Sequence, residues 1–212
     1  PVVGLPSDPD AIARLLAHPR PAALTWEHEH IPAEVFDAAE AAGVPARPGL
    51  HALLYAQDKI EMRHRMDELG LPNPAWAHVE TEDEVEAFLA IHGGAGVLKT
   101  ARGGYDGKGV RVVTAPHQAV DWLRAAGDGG PRVLIEEKVR FDRELAVLVA
   151  RRPSGDMVAW PTVESVQRAG VCSEVIAPAP DLPGSLDAEA ARIGEAVAEG
   201  LGVTGVLAVE LF

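Results

Sequence analysis

The order of helical and extended sequence patterns predicts a mixed fold of the α/β and α+β classes. Helix-type and strand-type segments alternate along the chain, as they do in α/β proteins. A glycine-rich loop in the middle of the chain lies between two short strands rather than between a strand and a helix. With 212 residues, 47% of them hydrophobic, the chain can form one sizeable core or two small domains.

Apolar residues at helical spacing predict the first elements. Ile12, Leu15 and Leu16 recur at the period of a helix, and an alanine-rich run that stops at Gly43 predicts a second helix with a glycine C-cap. The residues between these two helices have the composition of a short strand. The predicted elements are a helix at 9–18, a strand at 22–26 and a helix at 33–42.

Two capping signals predict the next helices. Asp58 and Glu61 stand at capping-box spacing before a charged amphipathic run that stops at Gly70. Thr81 and Glu84 repeat that spacing further along the chain. We therefore predict helices at 58–69 and at 81–92.

The second half of the chain alternates apolar or β-branched strands with two helices. The glycine-rich loop occupies residues 102–109, and Gly202 directly follows a long alanine-rich helix. The predicted strands are 97–100, 110–113, 132–137, 144–151, 157–166 and 206–212, and the predicted helices are 118–126 and 186–201.

Composition excludes several classes of protein. The net charge is -13 and no dense Lys/Arg run exists, so DNA and RNA are not expected as partners, although a few local cations can still hold a small anion. No apolar stretch approaches the roughly 18 residues needed to span a bilayer, and the N-terminal residues do not resemble a signal peptide. The single cysteine, Cys172, fits a reducing compartment. We expect a cytoplasmic protein without a membrane partner.

The strongest local signal is the segment from Lys99 to Gly109, KTARGGYDGKG. Its glycines let successive backbone N–H groups approach and cradle a phosphate, while Lys99 and Lys108 supply positive charge at its two ends. The segment is neither a Walker loop nor a dinucleotide fingerprint, because no GK[ST] follows and the next element is a strand. The pattern favours phosphate binding; the alternative is a hairpin turn without a ligand.

A second signal follows the strand at 132–137. The backbone from Glu136 to Val139 can offer N–H and C=O groups to the edge of an adenine, and Glu144 can bind ribose hydroxyls. From the residues alone, acidic side chains after a strand are more often solvated turns.

Two further acidic segments are candidates for a site. The segment TWEHEH contains His28 and His30 at a spacing seen in metal sites, but no cysteine or third histidine lies nearby in sequence, so a cluster of carboxylates at a strand end is the better interpretation. Glu210 lies between Val209 and Leu211 in the last predicted strand, and hard carboxylate oxygens suit Mg²⁺. The alternative for Glu210 is an outward-facing residue at a sheet edge.

Taken in this order, Lys99, GGYDGKG, the EE-x-V-x-F-x-x-E pattern and GVLAVELF resemble ATP-grasp enzymes, specifically the 5-(carboxyamino)imidazole ribonucleotide synthases. TWEHEH and QDKIEMRHRMDELGLPNP are also similar to segments of that family, so the resemblance covers nearly the whole chain. The most specific part is GGYDGKG, because Tyr105 and Asp106 separate this family from related ligases.

The resemblance implies a role for each matching residue. ATP and Mg²⁺ are the implied cofactors, with Glu210 as one of two Mg²⁺ carboxylates and Gln167 at a position where some members have a histidine near the nucleotide. Tyr105, Asp106 and Lys108 are implied as catalytic residues and, with Glu27, as contacts of the aminoimidazole ribonucleotide. The implied ATP contacts are Lys59, Lys99, Gly104, Tyr105, Asp106, Gly107, Lys108, Gly109, Val110, Glu136, Glu137, Lys138, Val139, Glu144 and Gln167.

The family reaction uses ATP to activate bicarbonate for transfer to the exocyclic amine of aminoimidazole ribonucleotide in purine biosynthesis. The implied partners are therefore small molecules, and members often form homodimers. The resemblance also implies an ATP-grasp fold in three parts. These are the remainder of a parallel-sheet domain at 1–75, a lid subdomain at 76–148 and part of an antiparallel-sheet domain at 149–212.

Relative to the family, we expect an opening glycine-rich βα unit and a second Mg²⁺ carboxylate after Glu210 to be missing, and we expect the chain alone to be nearly inactive. Two competing functions stay open at this point. One is another ATP-grasp ligase, of the glycinamide ribonucleotide transformylase or biotin carboxylase type. The other is a nucleotide-binding module without catalysis.

Overall fold

The computed structural model describes residues 2–17, 19–26, 28–104 and 109–212. Its helices are α1 (Pro9–Ala17), α2 (Ala33–Ala41), α3 (Leu50–Gln57), α4 (Lys59–Glu68), α5 (Glu82–Ile91), a short 3₁₀ helix (Pro116–Ala119), α6 (Val120–Gly127) and α7 (Gly184–Gly200). Its strands are β1 (Trp76–Val79), β2 (Gly96–Thr100), β3 (Val110–Val113), β4 (Val133–Glu137), β5 (Glu144–Arg151), β6 (Met157–Ala159), β7 (Val163–Arg168), β8 (Val171–Ile176) and β9 (Gly205–Leu211).

The described residues form two compact units. Unit 1 comprises residues 2–56, 146–162 and 181–211, and unit 2 comprises residues 57–145 and 163–180 together with Phe212. Among the residues described, no helix is both long enough and apolar enough to cross a membrane. The three-part division at residues 75 and 148 stays a prediction.

The N-terminal part of unit 1 is a small helical core. Apolar residues of α1 and α2 pack with Leu24 and Val44, and α2 ends before Gly43, which takes the positive φ of 65° that the predicted C-cap requires. The predicted strand at 22–26 is wrong, because Leu24 forms only an isolated parallel bridge with Ala46. The bridge is made by the Leu24 N–H to the Pro45 carbonyl and the Arg47 N–H to the Leu24 carbonyl, and Pro45 lacks the N–H group that would extend it toward residue 22.

The C-terminal part of unit 1 packs helix α7 against strands. Strand β5 pairs with β6 and with β9, and Gly194 of α7 lets the helix approach the strand, since an added Cβ would lie 2.8 Å from Val147 and 2.9 Å from Val149. The single strand predicted at 157–166 is wrong, because the chain leaves β6 after Ala159 and begins β7 only at Val163. Pro161 lies in this gap and has no N–H to donate to a ladder.

Unit 2 is built on a four-stranded antiparallel sheet with the strand order β1-β4-β2-β3. Helices α5 and α6 supply apolar side chains that pack with one face of this sheet, and α5 begins with the predicted capping box of Thr81 and Glu84. Strand β1 was not predicted from the sequence. The buried residues of this core are Val79, Val85, Phe88, Leu89, Leu98, Val113, Ala119, Leu123, Val133 and Ile135.

Helix α4 packs against the other face of the sheet. Ile60 of α4 contacts Leu134, with Ala101 and Trp76 beside them. The helix begins where predicted, and the Asp58 carboxylate accepts hydrogen bonds from the backbone N–H groups of Ile60 and Glu61. Unit 2 also contains a β7–β8 hairpin with a bulge at Val166/Gln167, and β8 was not predicted from the sequence.

Candidate functional site

Lys99 and Glu136 form an ion pair on one face of the four-stranded sheet. The β2–β4 register pairs Lys99 with Leu134 and Val97 with Glu136, so the two charged side chains share a face and lie diagonally across neighbouring strands. Lys99 Nζ is 2.6 Å from Glu136 Oε2. The Glu136 side chain is 4% exposed and the Lys99 side chain 21% exposed, so the pair is largely withdrawn from water.

Arg63 of α4 binds the second oxygen of the same carboxylate. Its Nε donates to Glu136 Oε1 at 2.8 Å, and its side chain is 13% exposed. Another nitrogen of the guanidinium donates to Asn73 Oδ1 at 2.7 Å, and the Asn73 amide donates back to the Arg63 carbonyl at 3.2 Å and to Asp67 at 2.9 Å. The guanidinium is therefore fixed at both of its edges.

The electrostatics of this cluster favour an ionised Glu136. Burial raises the pKa of the Glu136 carboxyl, but the charge of Lys99 and the hydrogen bond from Arg63 outweigh burial and hold the pKa below its ordinary value. Two cations therefore surround one carboxylate, and the three groups together carry one net positive charge. Such a cluster can attract an anion such as a phosphate.

The two described ends of the glycine-rich loop lie close together. The N–H of Thr100 donates to the Gly109 carbonyl at 3.0 Å, and Lys99 pairs with Val110 in the β2–β3 register. Gly109 has a φ of 72°, and a Cβ added there would lie 2.5 Å from Thr100 Oγ1 and 3.0 Å from Gly104 Cα. Glycine is therefore required at position 109 by both backbone conformation and space.

A buried carboxylate, Asp58, joins the start of this loop to α4. Asp58 is 2% exposed; besides capping α4, its Oδ2 accepts from Arg102 at 2.7 Å and from Arg132 at 3.0 Å. Burial raises the pKa of Asp58, but the hydrogen bonds from Arg102 and Arg132 outweigh it and lower the pKa. The backbone N–H of Lys59 donates to the Ala101 carbonyl at 2.9 Å, so this predicted ATP contact lies beside the start of the loop.

The segment after β4 holds the residues predicted to line an adenine. The N–H and a carboxylate oxygen of Glu137 bond the backbone of Ala75 at 2.8 and 2.9 Å, and the N–H of Val139 donates to the Glu137 carbonyl. Lys138 lines a cleft of about 410 Å³ with His92 and Arg140. Glu137 is thus held by neighbouring backbone rather than solvated as a free turn residue.

The remaining predicted residues lie further from Lys99 in the sequence. Glu144 begins β5 and is half-buried, and Gln167 of β7 donates a 2.9 Å hydrogen bond to Ser165 Oγ. Both belong to unit 2, as do Lys59, Lys99 and the adenine segment. Glu27, Tyr105, Asp106, Gly107 and Lys108 lie outside the described residues.

The predicted metal ligand Glu210 lies in β9 of unit 1 and is exposed. The rings of His28 and His30 are 5.8 Å apart, and the His30 N–H donates to His28 Nδ1. Within the part of the chain that the structure describes, no group of three or more His, Cys, Asp or Glu side chains could hold a metal ion. The described donor set therefore does not make a Mg²⁺ site by itself.

Sequence reasoning did not identify Arg63, Asn73 or the arginine partners of Asp58. Arg63 is one of several charged residues in a helix of high charge, and nothing in its spacing separates it from its neighbour Arg65. Asp58 was recognised only as a helix cap. An ion pair between an arginine of a helix and a carboxylate of a strand, such as Arg63 and Glu136, can be identified only when the packing of the helix on the sheet is known.

Comparison with known proteins links this geometry to a family. The sequence model of the ATP-grasp domain matches residues 64–212. The chain is 44% identical over 211 residues to the N5-carboxyaminoimidazole ribonucleotide synthase of Mycobacterium bovis, an alignment that covers 100% of this chain and 49% of that protein.

Solved structures agree with this match. The N5-carboxyaminoimidazole ribonucleotide synthetase of Thermus thermophilus superposes with a TM-score of 0.83 at 31% identity, covering 100% of this chain and 56% of that one. The carboxyaminoimidazole ribonucleotide synthase of Aspergillus clavatus, solved in complex with ATP, gives a TM-score of 0.82 at 25% identity, covering 100% of this chain and 54% of that one. The chain thus spans about half the length of the relatives that it matches.

Proposed function

The chain belongs to the ATP-grasp domain family, and from this premise we propose that it forms the nucleotide-binding part of an ATP-dependent carbon–nitrogen ligase. We propose further that the ligase carboxylates 5-aminoimidazole ribonucleotide with bicarbonate, the activity that the names of its relatives state. The observation that carries the proposal is the position of Lys99 at the entrance of the glycine-rich loop, on the face of the sheet that holds the buried Glu136.

ATP binding is assigned to unit 2. Lys99 and the backbone of the glycine-rich loop contact the phosphates, and Lys59 adds charge at the start of α4. Glu136 to Val139 contact the adenine, Glu144 the ribose and Gln167 the nucleotide. The loop from Gly104 to Val110 closes over the phosphates and excludes water from the reacting groups.

The reaction proposed for the whole enzyme consists of two transfers. A bicarbonate oxygen attacks the γ-phosphorus of ATP, the bond from that phosphorus to the β–γ bridging oxygen breaks, and ADP leaves. The exocyclic amine of the ribonucleotide then forms a bond to the carbon of the resulting carboxyphosphate, directly or after release of CO₂. The amine loses a proton and inorganic phosphate leaves.

The chain's own residues contribute charge and position to this reaction. Lys99 neutralises the phosphates during the first transfer, which is the main task in phosphoryl transfer. Tyr105, Asp106 and Lys108, with Glu27, are proposed as contacts of the ribonucleotide. Mg²⁺, with Glu210 as one ligand, would neutralise phosphate charge when bound, and ligands beyond the described donor set would have to complete its site.

We also propose the pathway, the cellular location, the partners and the oligomeric state from the family resemblance. The enzyme is assigned to purine biosynthesis in the cytoplasm, acts on small molecules rather than on nucleic acid or membranes, and forms a homodimer. The division into a pre-ATP-grasp remainder at 1–75, a lid at 76–148 and part of the antiparallel-sheet subdomain at 149–212 is proposed on the same resemblance.

Phosphate release from Mg-ATP tests the proposed reaction. The assay uses a protein of the relatives' full length that contains this chain, with bicarbonate and with each acceptor in turn. We expect release to depend on 5-aminoimidazole ribonucleotide and not on glycinamide ribonucleotide or biotin. Stimulation by another acceptor would replace the substrate, and ATP binding without any stimulated release would leave a non-catalytic nucleotide-binding module.

Nucleotide binding is tested on the 212-residue chain itself by calorimetric titration with ATP. Lys99→Ala should weaken ATP binding by roughly tenfold to a hundredfold, because it removes a charge-assisted contact to phosphate. Gly109→Ala should also weaken it, because the added Cβ displaces Thr100 or Gly104 at the base of the loop. Arg124→Ala is the matched control, because Arg124 is exposed on α6 and is not among the proposed ATP contacts.

A further inference from the structure

The Lys99–Glu136 ion pair raises a difficulty for a phosphate-binding lysine. Glu136 is buried and ionised, and its Oε2 lies 2.6 Å from the ammonium group that is proposed to bind ATP phosphate. With Lys99 as its one cation, the carboxylate would cancel the charge of the lysine. Whenever the ammonium turned toward a ligand, the Glu136 carboxylate would be left without a neutralising cation. A buried carboxylate without such a partner is strongly unfavourable.

Arg63 resolves this difficulty. It binds Glu136 Oε1, the oxygen that Lys99 does not use, at 2.8 Å, and it approaches from a helix rather than from the sheet. An arginine keeps its charge at any ordinary pH, so the carboxylate retains one permanent cation. The ammonium of Lys99 has three donors and can then share its hydrogen bonds between Glu136 and an anion.

The orientation of Arg63 is itself fixed. Asn73 accepts from the guanidinium and donates to the Arg63 carbonyl, and the same amide is tied to Asp67, which in turn accepts from the Trp76 indole at 2.8 Å. The edge of the guanidinium that carries Nε is therefore held toward Glu136 before any ligand arrives. Such preorganisation reduces the free-energy cost of binding.

We propose that Arg63 is a positioning residue for nucleotide binding, which acts through Glu136 to keep Lys99 available to the phosphates of ATP. This inference rests on the proposed nucleotide site and adds to it a residue that does not itself touch the ligand. Arg63 supplies the second positive charge that leaves the cluster with a net charge of one, while Glu136 fixes the position of the Lys99 ammonium.

The first test compares Arg63→Gln with Arg65→Gln in the 212-residue chain. Arg65 lies on the same helix, but it pairs with Glu68, whose side chain is 64% exposed, and not with Glu136. We expect Arg63→Gln to raise the dissociation constant of ATP roughly tenfold, because the Lys99 ammonium is then held by Glu136 and one charge-assisted contact to phosphate is lost. Arg65→Gln should leave the dissociation constant unchanged. Circular dichroism confirms that each variant is folded before titration.

A double-mutant cycle separates action through Glu136 from a general structural role. In a Glu136→Gln background the carboxylate that competes for Lys99 is absent, so Arg63→Gln should change ATP affinity by less than about twofold. Arg63→Lys should restore part of the affinity in the Glu136 background, because it restores the charge without the bond to Asn73. If Arg63→Gln does not fold, the comparison of Arg63→Lys in the two backgrounds gives the same test.

The outcomes distinguish this inference from the function on which it rests. A chain that does not bind ATP at all overturns the nucleotide site and the role of Arg63 together. If the chain binds ATP and Lys99→Ala weakens binding, while neither Arg63→Gln nor Arg63→Lys does, the nucleotide site is retained. The proposed role of Arg63 is then overturned. An equal effect of Arg63→Gln in both backgrounds also overturns it.

Discussion

The two faces of the four-stranded sheet in unit 2 are built from the same strands for different purposes. On one face Leu98 and Ile135 are fully buried among side chains of α5 and α6. On the other face the neighbouring residues Lys99 and Glu136 are charged and are covered in part by α4. Successive residues of β2 and β4 therefore alternate between a core and an ion-pair network.

The difference between the apolar face and the charged face shows how one short sheet can provide both stability and a ligand-binding surface. The apolar face gains its stability from area removed from water, which needs no particular partner. The charged face depends on specific partners, because each buried charge is unfavourable unless its hydrogen bonds are made. Substitutions on the first face should therefore change unfolding most, and substitutions on the second should also change ligand binding.

Ile135→Ala should give the largest loss of stability. The side chain is completely buried, and removing it leaves a cavity under α5 and α6, which costs about 4 kcal/mol in the free energy of unfolding. Ile91→Ala is the matched control, because that isoleucine is 77% exposed and should change stability by less than about 0.5 kcal/mol. Urea denaturation measures both. Similar losses for the two variants would contradict the assignment of this face as the core.

Glu136→Gln should have the next largest effect on stability. It leaves Lys99 and Arg63 as two neighbouring cations without the carboxylate, at about 2 kcal/mol, less than in a fully buried site because both side chains retain some contact with water. Glu68→Gln, in an exposed pair with Arg65, should leave the urea midpoint nearly unchanged. If Glu136→Gln also left the midpoint unchanged, Glu136 would contribute to function alone.

Much of the fold could be predicted from local patterns. The capping signals at Asp58 and Thr81 placed α4 and α5, and short apolar runs placed β2 and β4, because helix ends and strand burial depend on residues close in sequence. The prediction failed at 22–26 and 157–166, where prolines prevent a ladder that composition alone favours. Strand β1 was missed because only Val79 of its four residues is buried, and β8 was missed because it is largely exposed and has no buried apolar face.

The candidate site was predictable only in part. Lys99, the glycine-rich loop and the adenine segment have local signatures, and the resemblance to ATP-grasp ligases assigned their roles. The partners of Glu136 could not be predicted, because Arg63 is 73 residues away in sequence and meets it only through the packing of α4 on the sheet. The same holds for Asp58 and Arg132, which are 74 residues apart.

Asp58→Ala should destabilise the chain by about 2 kcal/mol, and Thr81→Ala by about 1 kcal/mol. Both residues cap helices that pack on the same sheet, but Thr81 caps α5 with a neutral hydroxyl, whereas Asp58 also binds Arg102 and Arg132. Thermal and urea unfolding of the two variants compare the caps directly. Equal losses would mean that the two arginine contacts add nothing to the cap.

The pH dependence of stability should be the smallest effect and the one that separates the two faces most cleanly. The pKa values of Glu136 and Asp58 are lower in the folded chain than their ordinary values of 4.5 and 3.8. Their stabilisation is therefore fully present above those values and is lost as the pH falls through the lower pKa values of the folded state, where the paired carboxylates take up protons.

Urea midpoints measured from pH 7 to pH 3 should accordingly show a stability deficit of Glu136→Gln that shrinks as the solution becomes more acidic, because below the ordinary pKa of 4.5 the unfolded wild-type chain takes up a proton that the paired Glu136 of the folded chain resists. The deficit of Ile135→Ala should stay constant over the same range, since a cavity in an apolar core has no proton to bind. A deficit of Glu136→Gln that does not change with pH would mean that Glu136 stabilises the sheet by packing rather than by its charge, and the two faces would then differ less than their compositions suggest.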